Sequence, residues 1–499
     1  ILVTENSQHW SFGLLGLDSA DTLKQLIECQ ATSKRPMTIK VFNVLDERIK
    51  QLLGSAKFSA LLPTTAATQL IAIEGCQRIK LNNGALIIDF HLGDYQAQLR
   101  QLPISGTQFI DGWFITAAAD TSLIDETMFW QMTKHSQDDG FCSICDKIAT
   151  VQQQGLQSLT ERVGFSSLRP TNKATAAKLD NVQYAERQAL KSQQQAKQAP
   201  YPIQAAENSA EIAVIGGGIA SASLVLSLAE RQQKISVFCE DSDLAQAASG
   251  NKQGAIYPLL TPDNNTLSQY FQQAYLFSLH RLTSLAAHYP IDFDLCGVLH
   301  TGHDERSRKR VQKIIQGYPW CSDIAYPVNQ SQSSELASVA INEAGIFYPL
   351  GGWVAPQDLC KASFEQAQRL SDVSVQLNTQ ITALEKTAAG WLLHTAAQCL
   401  GPYKTVIVAN GKSLTRFEQT KHLQVTGFRG QVSHAPTRPQ LSKLSTVLCA
   451  HGYMTPQSNA LHCLGASYVK DAENLAYSPQ EQLDNLHKIQ HSYLDKDWY

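Results

Sequence analysis

A strand, a glycine-rich turn, a helix and a second strand follow one another in EIAVIGGGIASASLVLSLAERQQKISVFCED, from Glu211 to Asp241. The apolar runs at both ends predict buried strands, and the residues after the glycines have the spacing of a helix. Glycines let the chain turn tightly and let its backbone approach a pyrophosphate at the helix N-terminus. The stretch therefore predicts a βαβ unit that binds a dinucleotide, and the alternative is a glycine-rich turn without a ligand.

Individual positions of this unit have separate roles in dinucleotide binding. Gly216 would allow the tight turn, Gly218 would allow the close approach of the backbone, and Ser221 is small enough to replace a third glycine. An acid at the end of the second strand should hydrogen-bond the ribose, and we prefer Glu240 to Asp241 for this role. The cofactor contacts predicted from this unit are Gly216, Gly217, Gly218, Ser221, Glu240 and Asp241.

Two later segments favour FAD over NAD as the dinucleotide. AASGNKQGAIYPLL, from Ala247 to Leu260, is a loop whose backbone N–H groups can reach a flavin pyrophosphate. YKTVIVANGKS predicts a strand that ends in small residues, an arrangement that recurs beside FAD in amine oxidases. The FAD contacts predicted from these segments are Ser249, Gly250, Asn251, Gln253, Gly254, Ala409, Asn410 and Gly411.

Residues 1–165 alternate strand-like and helix-like stretches, which is typical of an α/β domain with a doubly wound sheet. MTIKVFNV, ALIIDFHLGD and TQFIDGWFI predict strands. SADTLKQLIECQ and DETMFWQMTKH predict helices, the first capped by Ser19 or Asp21. Residues 166–210 are rich in Gln, Ala, Lys and Ser and predict a linker, with one solvated helix in NVQYAERQALKSQQQ. Residues 211–499 form the second domain.

Composition bounds the partners and the compartment. The formal net charge of −3 excludes a histone-like protein, although a local basic face matters more for RNA binding than the total charge. ERSRKRVQK, from Glu305 to Lys313, is the densest basic cluster; it predicts either phosphate contacts or a solvated helix face. No apolar run is long enough to predict a membrane span, and 11 scattered cysteines fit a reducing cytoplasm. Cys142 and Cys145 form a CxxC without a second ligand pair, so we expect no metal site there.

Several motifs after residue 211 resemble one flavoprotein family. IGGGIASA, ASGNKQGAIYPLL, CGVLHTG, YPLGGWVAP, VIVANG, GQVSH, VLCAHGYMTP and CLGASY occur in the order typical of the glycine oxidase and D-amino-acid oxidase superfamily. Together they are most similar to the oxidase half of the MnmC family, bifunctional enzymes that modify the wobble uridine of tRNA. The resemblance implies a FAD-binding, glycine-oxidase-like α/β domain with an antiparallel-sheet substrate subdomain.

The same family carries a Rossmann-like methyltransferase domain before its oxidase, which would account for residues 1–165. ILVTENSQHWSFGLLGL stands where the family has a strand and a glycine-rich loop for S-adenosylmethionine (SAM). Of that loop only Gly13 and Gly16 are retained, so we expect a methyltransferase fold whose SAM loop is eroded, either still active or serving as a docking scaffold. The other matches to this domain are Gly93-Asp94, Asp111-Gly112 and Trp130, with Asp111 as its candidate site residue.

The resemblance also implies the chemistry. The family's oxidase removes the carboxymethyl group from 5-carboxymethylaminomethyl-(2-thio)uridine by FAD-dependent oxidation, and its methyltransferase then methylates the resulting amine from SAM. On the substrate side of the flavin we expect Tyr348, Gly352 and Trp353, whose alternative role is core packing. Arg429 could bind the substrate carboxylate as a fork or be a surface arginine, and Lys252 could contact a phosphate instead.

Three functions stay open at this stage: a tRNA-modifying flavoenzyme, a small-molecule amine oxidase of the glycine oxidase type, and a non-catalytic RNA-binding remnant. For the first we expect a cytoplasmic monomer with tRNA as partner, without a metal or membrane attachment. The chain starts at Ile1 rather than Met and stops at HSYLDKDWY, where the family continues. We therefore expect a chain truncated at both ends, whose oxidase domain lacks its C-terminal part and binds FAD weakly.

Overall fold

The computed structural model describes residues 9–62, 70–102, 109–145, 147–170, 182–187, 211–471 and 474–493. The chain divides into two compact units, an N-terminal unit of Ile1–Ala206 and a C-terminal unit of Glu207–Tyr499. No helix of the described residues is both long and apolar enough to cross a membrane.

The N-terminal unit is built on one sheet of eight strands. Its strands are β1 (Trp10–Leu15), β2 (Met37–Asn43), β3 (Gly75–Leu81), β4 (Leu86–Leu92), β5 (Ile110–Ile115), β6 (Ser136–Cys145), β7 (Phe165–Pro170) and β8 (Val182–Arg187). Its helices are α1 (Ala20–Ser33), α2 (Glu47–Leu53), α3 (Ala56–Ser59), α4 (Tyr95–Arg100), α5 (Glu126–His135) and α6 (Thr150–Arg162). The strands lie in the order β3-β4-β2-β1-β5-β6-β8-β7, and the five from β4 to β6 in this order run parallel.

Apolar side chains cover both faces of this sheet, which is why its central strands read as continuous apolar runs. Leu14 and Leu15 are neighbours in β1 but belong to different apolar clusters. One cluster includes residues of α1–α3, and the other includes residues of α4–α6. The predicted cap of the first helix is confirmed at Ser19, whose hydroxyl accepts a hydrogen bond from Thr22 N at 3.2 Å.

The far edge of the sheet differs from the prediction. Val182–Arg187 is not helical: it forms β8 and pairs antiparallel with β6 and β7. The predicted helix is therefore wrong for these residues, because backbone pairing with β6 outweighs the helical preference of Ala, Glu and Arg. Cys142 and Cys145 lie in β6, as predicted for a strand, and burial raises the pKa of Cys142 to about 12.

The C-terminal unit contains a small parallel sheet and several further sheets. Its helices are α7 (Ile219–Ala229), α8 (Thr266–Ala286), α9 (Glu305–Gly317), α10 (Gln330–Ala337), α11 (Pro356–Leu370) and α12 (Pro479–Ser492). The parallel sheet has the order β17-β10-β9-β21, formed by β9 (Ile212–Ile215), β10 (Ile235–Phe238), β17 (Val373–Gln376) and β21 (Thr405–Val408). Helices α7 and α11 pack on it through residues such as Val225, Phe364 and Val237.

The larger sheet of this unit is mostly antiparallel and has the order β14-β15-β13-β24-β25-β26-β23. Its strands are β13 (Val298–Thr301), β14 (Tyr326–Val328), β15 (Gly345–Tyr348), β23 (Ser433–Pro436), β24 (Val447–Cys449), β25 (Tyr453–Met454) and β26 (Leu461–Gly465). Three smaller sheets are formed by β11 (Gly254–Ile256), β12 (Phe293–Asp294) and β16 (Gly352–Val354); by β18 (Ala383–Thr387), β19 (Gly390–His394) and β20 (Cys399–Tyr403); and by β22 (Phe428–Arg429) and β27 (Val469–Lys470). The predicted fold class is confirmed in both units.

Candidate active site

The glycine turn after β9 lies where the carboxyl ends of β9, β10 and β21 meet. Gly216 has φ +126°, and a Cβ atom on it would lie 2.3 Å from the carbonyl oxygen of Ala409 at the end of β21. A Cβ atom on Gly217 would lie 2.5 Å from the Cys239 sulfur that follows β10. The turn therefore requires glycine, and it presents bare backbone at an edge where α/β sheets bind nucleotides.

The N-terminus of α7 begins directly after this turn. Gly218 is its N-cap and supplies no side-chain cap, but the Ser249 hydroxyl accepts a hydrogen bond from Ile219 N at 3.0 Å. Ser221 is fully buried, and its hydroxyl donates to the Ala409 carbonyl at 3.4 Å. The small third residue of the fingerprint thus holds α7 close to β21, and the positive end of the helix dipole faces the strand ends.

The two acids after β10 are engaged differently. The carboxylate of Glu240 accepts hydrogen bonds from Gln380 and Arg416, both at 2.9 Å, and these two contacts lower its pKa. Asp241 forms no ion pair with any other described residue. Both donors contact the Oε2 atom of Glu240, so its Oε1 atom can still accept from a ribose hydroxyl, and Glu240 and Asp241 both stay candidates for the ribose contact.

The loop before β11 is fixed by its own side chains. Asn251 Nδ2 donates to the Tyr453 hydroxyl at 3.0 Å, and Gln253 Nε2 donates to the Pro456 carbonyl at 3.1 Å. The side chains of Asn251 and Gln253 thus anchor the loop to the β25–β26 region, and backbone groups of the loop are the ones left for a ligand. Gly250 is exposed at the start of this loop, and Gly254 begins β11.

The end of β21 carries an unsatisfied acceptor. Ala409 N donates to Ile215 O at 2.8 Å, which keeps the strand ends aligned. Asn410 donates through Nδ2 to Ser413 O at 3.1 Å, but its buried Oδ1 has no hydrogen-bond partner among the described residues. Gly411 follows with φ +60° and open space around its Cα. A buried, unpaired acceptor beside the glycine turn is the arrangement expected where a ligand donor is missing.

The segment predicted for the substrate side is joined to the cofactor loop through a short sheet. Strand β16 pairs with β11, which places Ala255 opposite Trp353. A Cβ atom on Gly352 would lie 2.0 Å from the carbonyl oxygen of Asp294 in β12, so this position also requires glycine. Trp353 is buried, and its indole N–H has no partner among the described residues.

An aromatic cluster beside this segment joins Tyr348 to Tyr257 and His300, two residues without a predicted role. Tyr348 is buried, and its ring centroid lies 5.5 Å from that of the half-exposed Tyr257, which is 6.3 Å from His300. Burial lowers the pKa of His300 to about 4, so its imidazole is neutral near pH 7. Arg310 of α9 is within electrostatic range of all three side chains. The motif GAIYPLL contains Tyr257, but one tyrosine in an apolar run does not indicate an aromatic cluster.

Arg429 does not present a free guanidinium. It forms an ion pair with Glu481 of α12, and the two side chains are only 11% and 14% exposed. A second nitrogen donates to Gln431 Oε1 at 3.2 Å, and Glu481 also accepts from Ser467. The interpretation of Arg429 as a carboxylate fork is therefore not favoured, because a substrate carboxylate would have to displace that of Glu481.

Two residues matched to the methyltransferase domain lie inside strands, before the carboxyl end of its sheet. Gly13 is inside β1 rather than in a loop, and a Cβ atom on it would lie 2.1 Å from the Trp113 ring. Asp111 is near the amino end of β5, where its carboxylate accepts a hydrogen bond from Ser11 N at 2.6 Å. Ser11 is about 16 Å from the Gly16 turn along a strand that rises roughly 3.3 Å per residue. Asp111 therefore stabilises the amino end of the sheet.

A further polar cluster lies in the N-terminal unit. Cys76, Asp89 and His91 offer atoms within 4.8 Å of one another. The Asp89 carboxylate, however, accepts hydrogen bonds from Lys40 at 2.9 Å and from Arg78 at 2.6 and 2.8 Å. Burial disfavours the charge of Asp89, but these two cations hold its pKa well below the usual range. The cluster is an internal ion-pair network, in which a metal ion would add a third positive centre.

Comparison with known proteins gives matches to both units. Residues 211–496 match the family described as FAD dependent oxidoreductase. The chain is 52% identical over 507 residues to the tRNA 5-methylaminomethyl-2-thiouridine biosynthesis bifunctional protein MnmC of Shewanella pealeana, a match that covers 100% of this chain and 79% of the relative. The protein of the same name from Shewanella halifaxensis is 54% identical over 495 residues, covering 97% of this chain and 77% of the relative.

The fold of the C-terminal unit also has a match among solved structures. The crystal structure of glycine oxidase from Geobacillus kaustophilus superposes with a TM-score of 0.50, covering 58% of this chain and 81% of the oxidase at 17% identity. At that identity, the match bears on the fold alone.

Proposed function

The chain belongs to the MnmC family, and from this premise we propose that its C-terminal unit is an FAD-dependent oxidase acting on a modified wobble uridine of tRNA. The substrate is the 5-carboxymethylaminomethyl side chain, and the product is an aminomethyl group. The observation that carries the proposal is the meeting of β9, β10 and β21 at the Gly216 turn, with the N-terminus of α7 and the unpaired Asn410 Oδ1 beside it.

The residues at these strand ends fit FAD. The bare backbone at Gly216 and the N-terminus of α7 would hold the pyrophosphate, Glu240 or Asp241 would bind the ribose, and Asn410 would receive a donor from the cofactor. When bound, FAD accepts a hydride from the substrate and so supplies the oxidising power. The roles of Asn251, Gln253 and Ser249 are to hold the surrounding loop and helix in place.

The chemistry is the oxidation of an N-substituted glycine. Hydride leaves the carbon between the amine and the carboxylate while the nitrogen lone pair forms the C=N bond. Water then adds to this iminium, and hydrolysis releases glyoxylate and leaves a protonated aminomethyl group on the uridine. Tyr348 and Trp353 are buried and would support the substrate side from behind, whereas the half-exposed Tyr257 beside Tyr348 is the aromatic side chain that can reach the substrate. The substrate amine must be neutral before hydride transfer, because its lone pair forms the C=N bond.

Helix α9 supplies the surface for tRNA. Arg306, Arg310 and Lys313 are exposed on one face of the helix, at i, i+4 and i+7, and form no ion pair with a described residue. They line a groove of about 560 Å³ together with Pro262 and the Glu305–Lys309 ion pair. Since Arg310 is also within range of Tyr257, phosphates bound in this groove would bring the anticodon loop to the aromatic cluster.

The cytoplasm is the proposed location of this activity. All eleven cysteines are free thiols, which supports a reducing compartment. A monomeric state and the absence of a resident metal remain predictions.

The proposed reaction is tested by its two products. The chain is supplied with FAD and with tRNA that carries 5-carboxymethylaminomethyl-2-thiouridine, and the nucleosides and the glyoxylate are quantified. We expect one glyoxylate per aminomethyl uridine formed, and no glyoxylate from tRNA that lacks the carboxymethyl group. Glyoxylate from both tRNAs, or from neither, would overturn the proposal.

A further inference from the structure

The N-terminal unit has one edge at which a nucleotide could bind. In an open α/β sheet, ligands bind outside the carboxyl ends of the strands at the point where the strand order reverses. Here β1 is followed in the chain by β2 on one side, whereas β5 and β6 lie on the other side. The reversal therefore lies between β1 and β5, and a SAM site would be built from the turns that follow these two strands.

That edge is closed by the chain itself. The turn from Thr116 to Ala119, which follows β5, packs directly on the Gly16 turn, which follows β1. Thr116 N donates to Leu15 O at 3.1 Å, and the Thr116 hydroxyl donates to the Gly16 carbonyl. The position of a Cβ atom on Gly16 lies 2.3 Å from Ala119 N. Gly16 is thus buried against the backbone of the turn that follows β5.

The next strand end is closed as well. Asn43, at the end of β2, occupies the place where a nucleotide-binding fold carries an acid for the ribose. Its side chain is 7% exposed and bonds to the backbone of Leu17: Oδ1 accepts from N at 3.0 Å, and Nδ2 donates to O at 3.4 Å. The Asn43 amide thus satisfies the backbone N–H and carbonyl of Leu17. Neither the amide nor these two backbone groups are available to a ligand.

The acids of this edge are likewise committed to local contacts. Asp94 caps α4 through Ala97 N at 2.8 Å, and Asp46 caps α2 through Ile49 N at 3.0 Å. Asp18 accepts from the Thr22 hydroxyl at 2.6 Å. Asp120, which follows the Thr116–Ala119 turn, accepts from Ser122 N at 3.1 Å. Each carboxylate thus stabilises a helix start or a turn through its Oδ1 atom, so a ligand that takes Oδ1 would cost that contact.

We infer that the N-terminal unit does not bind SAM and that this chain ends its reaction at the aminomethyl uridine. The statement about SAM stands on the N-terminal unit alone, whereas the statement about the product rests on the proposed function. The tRNA then leaves with a primary amine at the wobble position. A separate SAM-dependent N-methylation, carried out by another protein, must consume this product if the methylaminomethyl group is to form.

Binding is measured first, without any reaction. The full chain is dialysed to equilibrium against SAM with a radioactive methyl group, and hydrogen exchange of the β1 and β5 amides shows in the same sample that the unit is folded. We expect no saturable retention of SAM and unchanged exchange at Gly16 and Leu17. Saturable, stoichiometric retention, or protection of those amides by SAM, would overturn the inference.

Methyl transfer is measured next on tRNA that already carries the aminomethyl group, so that the oxidase step is bypassed. We expect no methylaminomethyl uridine after incubation with labelled SAM, and its appearance would contradict the inference. A parallel sample with carboxymethylaminomethyl tRNA reports the oxidase through glyoxylate. Failure of the proposed oxidase would remove the glyoxylate, whereas failure of this inference would add a labelled methyl group, so the two failures are distinguishable.

Discussion

Removing the three unpaired cations of α9 should flatten the salt dependence of tRNA binding. The perturbation is the triple variant Arg306→Gln, Arg310→Gln and Lys313→Gln. All three side chains are exposed and lack an ion-pair partner among the described residues, so each can replace counterions on one phosphate. Each phosphate contact adds about 0.7 to 0.9 to the slope of log affinity against log salt. The slope of the triple variant should therefore be shallower by about 2 to 3.

The consequence can be worked out over a fourfold salt range. Between about 50 and about 200 mM salt, the affinity of the unchanged chain should fall roughly 20- to 40-fold more than that of the triple variant. Fluorescence anisotropy with labelled tRNA measures both curves. In turnover, KM for tRNA should rise, because the variant loses contacts that tRNA makes on binding.

The matched control is Arg308→Gln on the same helix. The Arg308 guanidinium is already paired with Glu343 at 3.1 Å, so its loss should change the slope by much less than one. Parallel salt plots for the unchanged chain and the triple variant would refute the argument. Equal effects of Arg308→Gln and Arg310→Gln would do the same, since they would show that only the total charge of the helix matters.

Three further predictions concern the flavin site, the Arg429 ion pair and acid stability. Gly216→Ala should abolish FAD binding, measured as the ratio of flavin to protein absorbance, because the new Cβ atom would meet the Ala409 carbonyl. The control variant Gly155→Ala should still bind FAD, because no atom lies within 4 Å of its Cβ position. Arg429→Gln should lower the free energy of unfolding in urea by about 3 kcal/mol, because it leaves the buried charge of Glu481 unpaired. Adding Glu481→Gln should restore part of this stability. A raised KM without a change in stability would show instead that Arg429 binds substrate. Burial lowers the pKa of His135 to about 4 from 6.5, so the unfolded chain binds more protons between these pH values, and stability should fall as pH drops from 6.5 to 4. His135→Gln should make this loss of stability smaller. An unchanged pH profile of the variant would contradict the prediction.

The βαβ unit that forms the candidate cofactor site was predictable because its information is local. The apolar runs, the glycines and Ser221 of the first βαβ unit all lie within one short stretch, and the structure brings them together as the pattern indicated. The surroundings of Glu240 were not predictable from local sequence, because Arg416, which contacts its Oε2 atom, lies 176 residues away.

The misplaced residues share a physical cause. Asp111 and Gly13 matched short motifs, but a motif does not say where a strand ends, and both residues lie before the end of theirs. The ion pair of Arg429 was not predicted, because its partner Glu481 lies 52 residues later in the sequence. Val182–Arg187 has helix-forming residues and no strand alternation, and only its pairing with β6 makes it a strand.

The most direct test of the account is an anaerobic visible spectrum of the chain loaded with FAD. Addition of tRNA that carries 5-carboxymethylaminomethyl-2-thiouridine should bleach the flavin band, and addition of free glycine should leave it unchanged. Equal bleaching by glycine would make the chain a small-molecule amine oxidase. A bound flavin that stays oxidised with this tRNA would contradict the central claim that the Gly216 site serves a tRNA-directed oxidase.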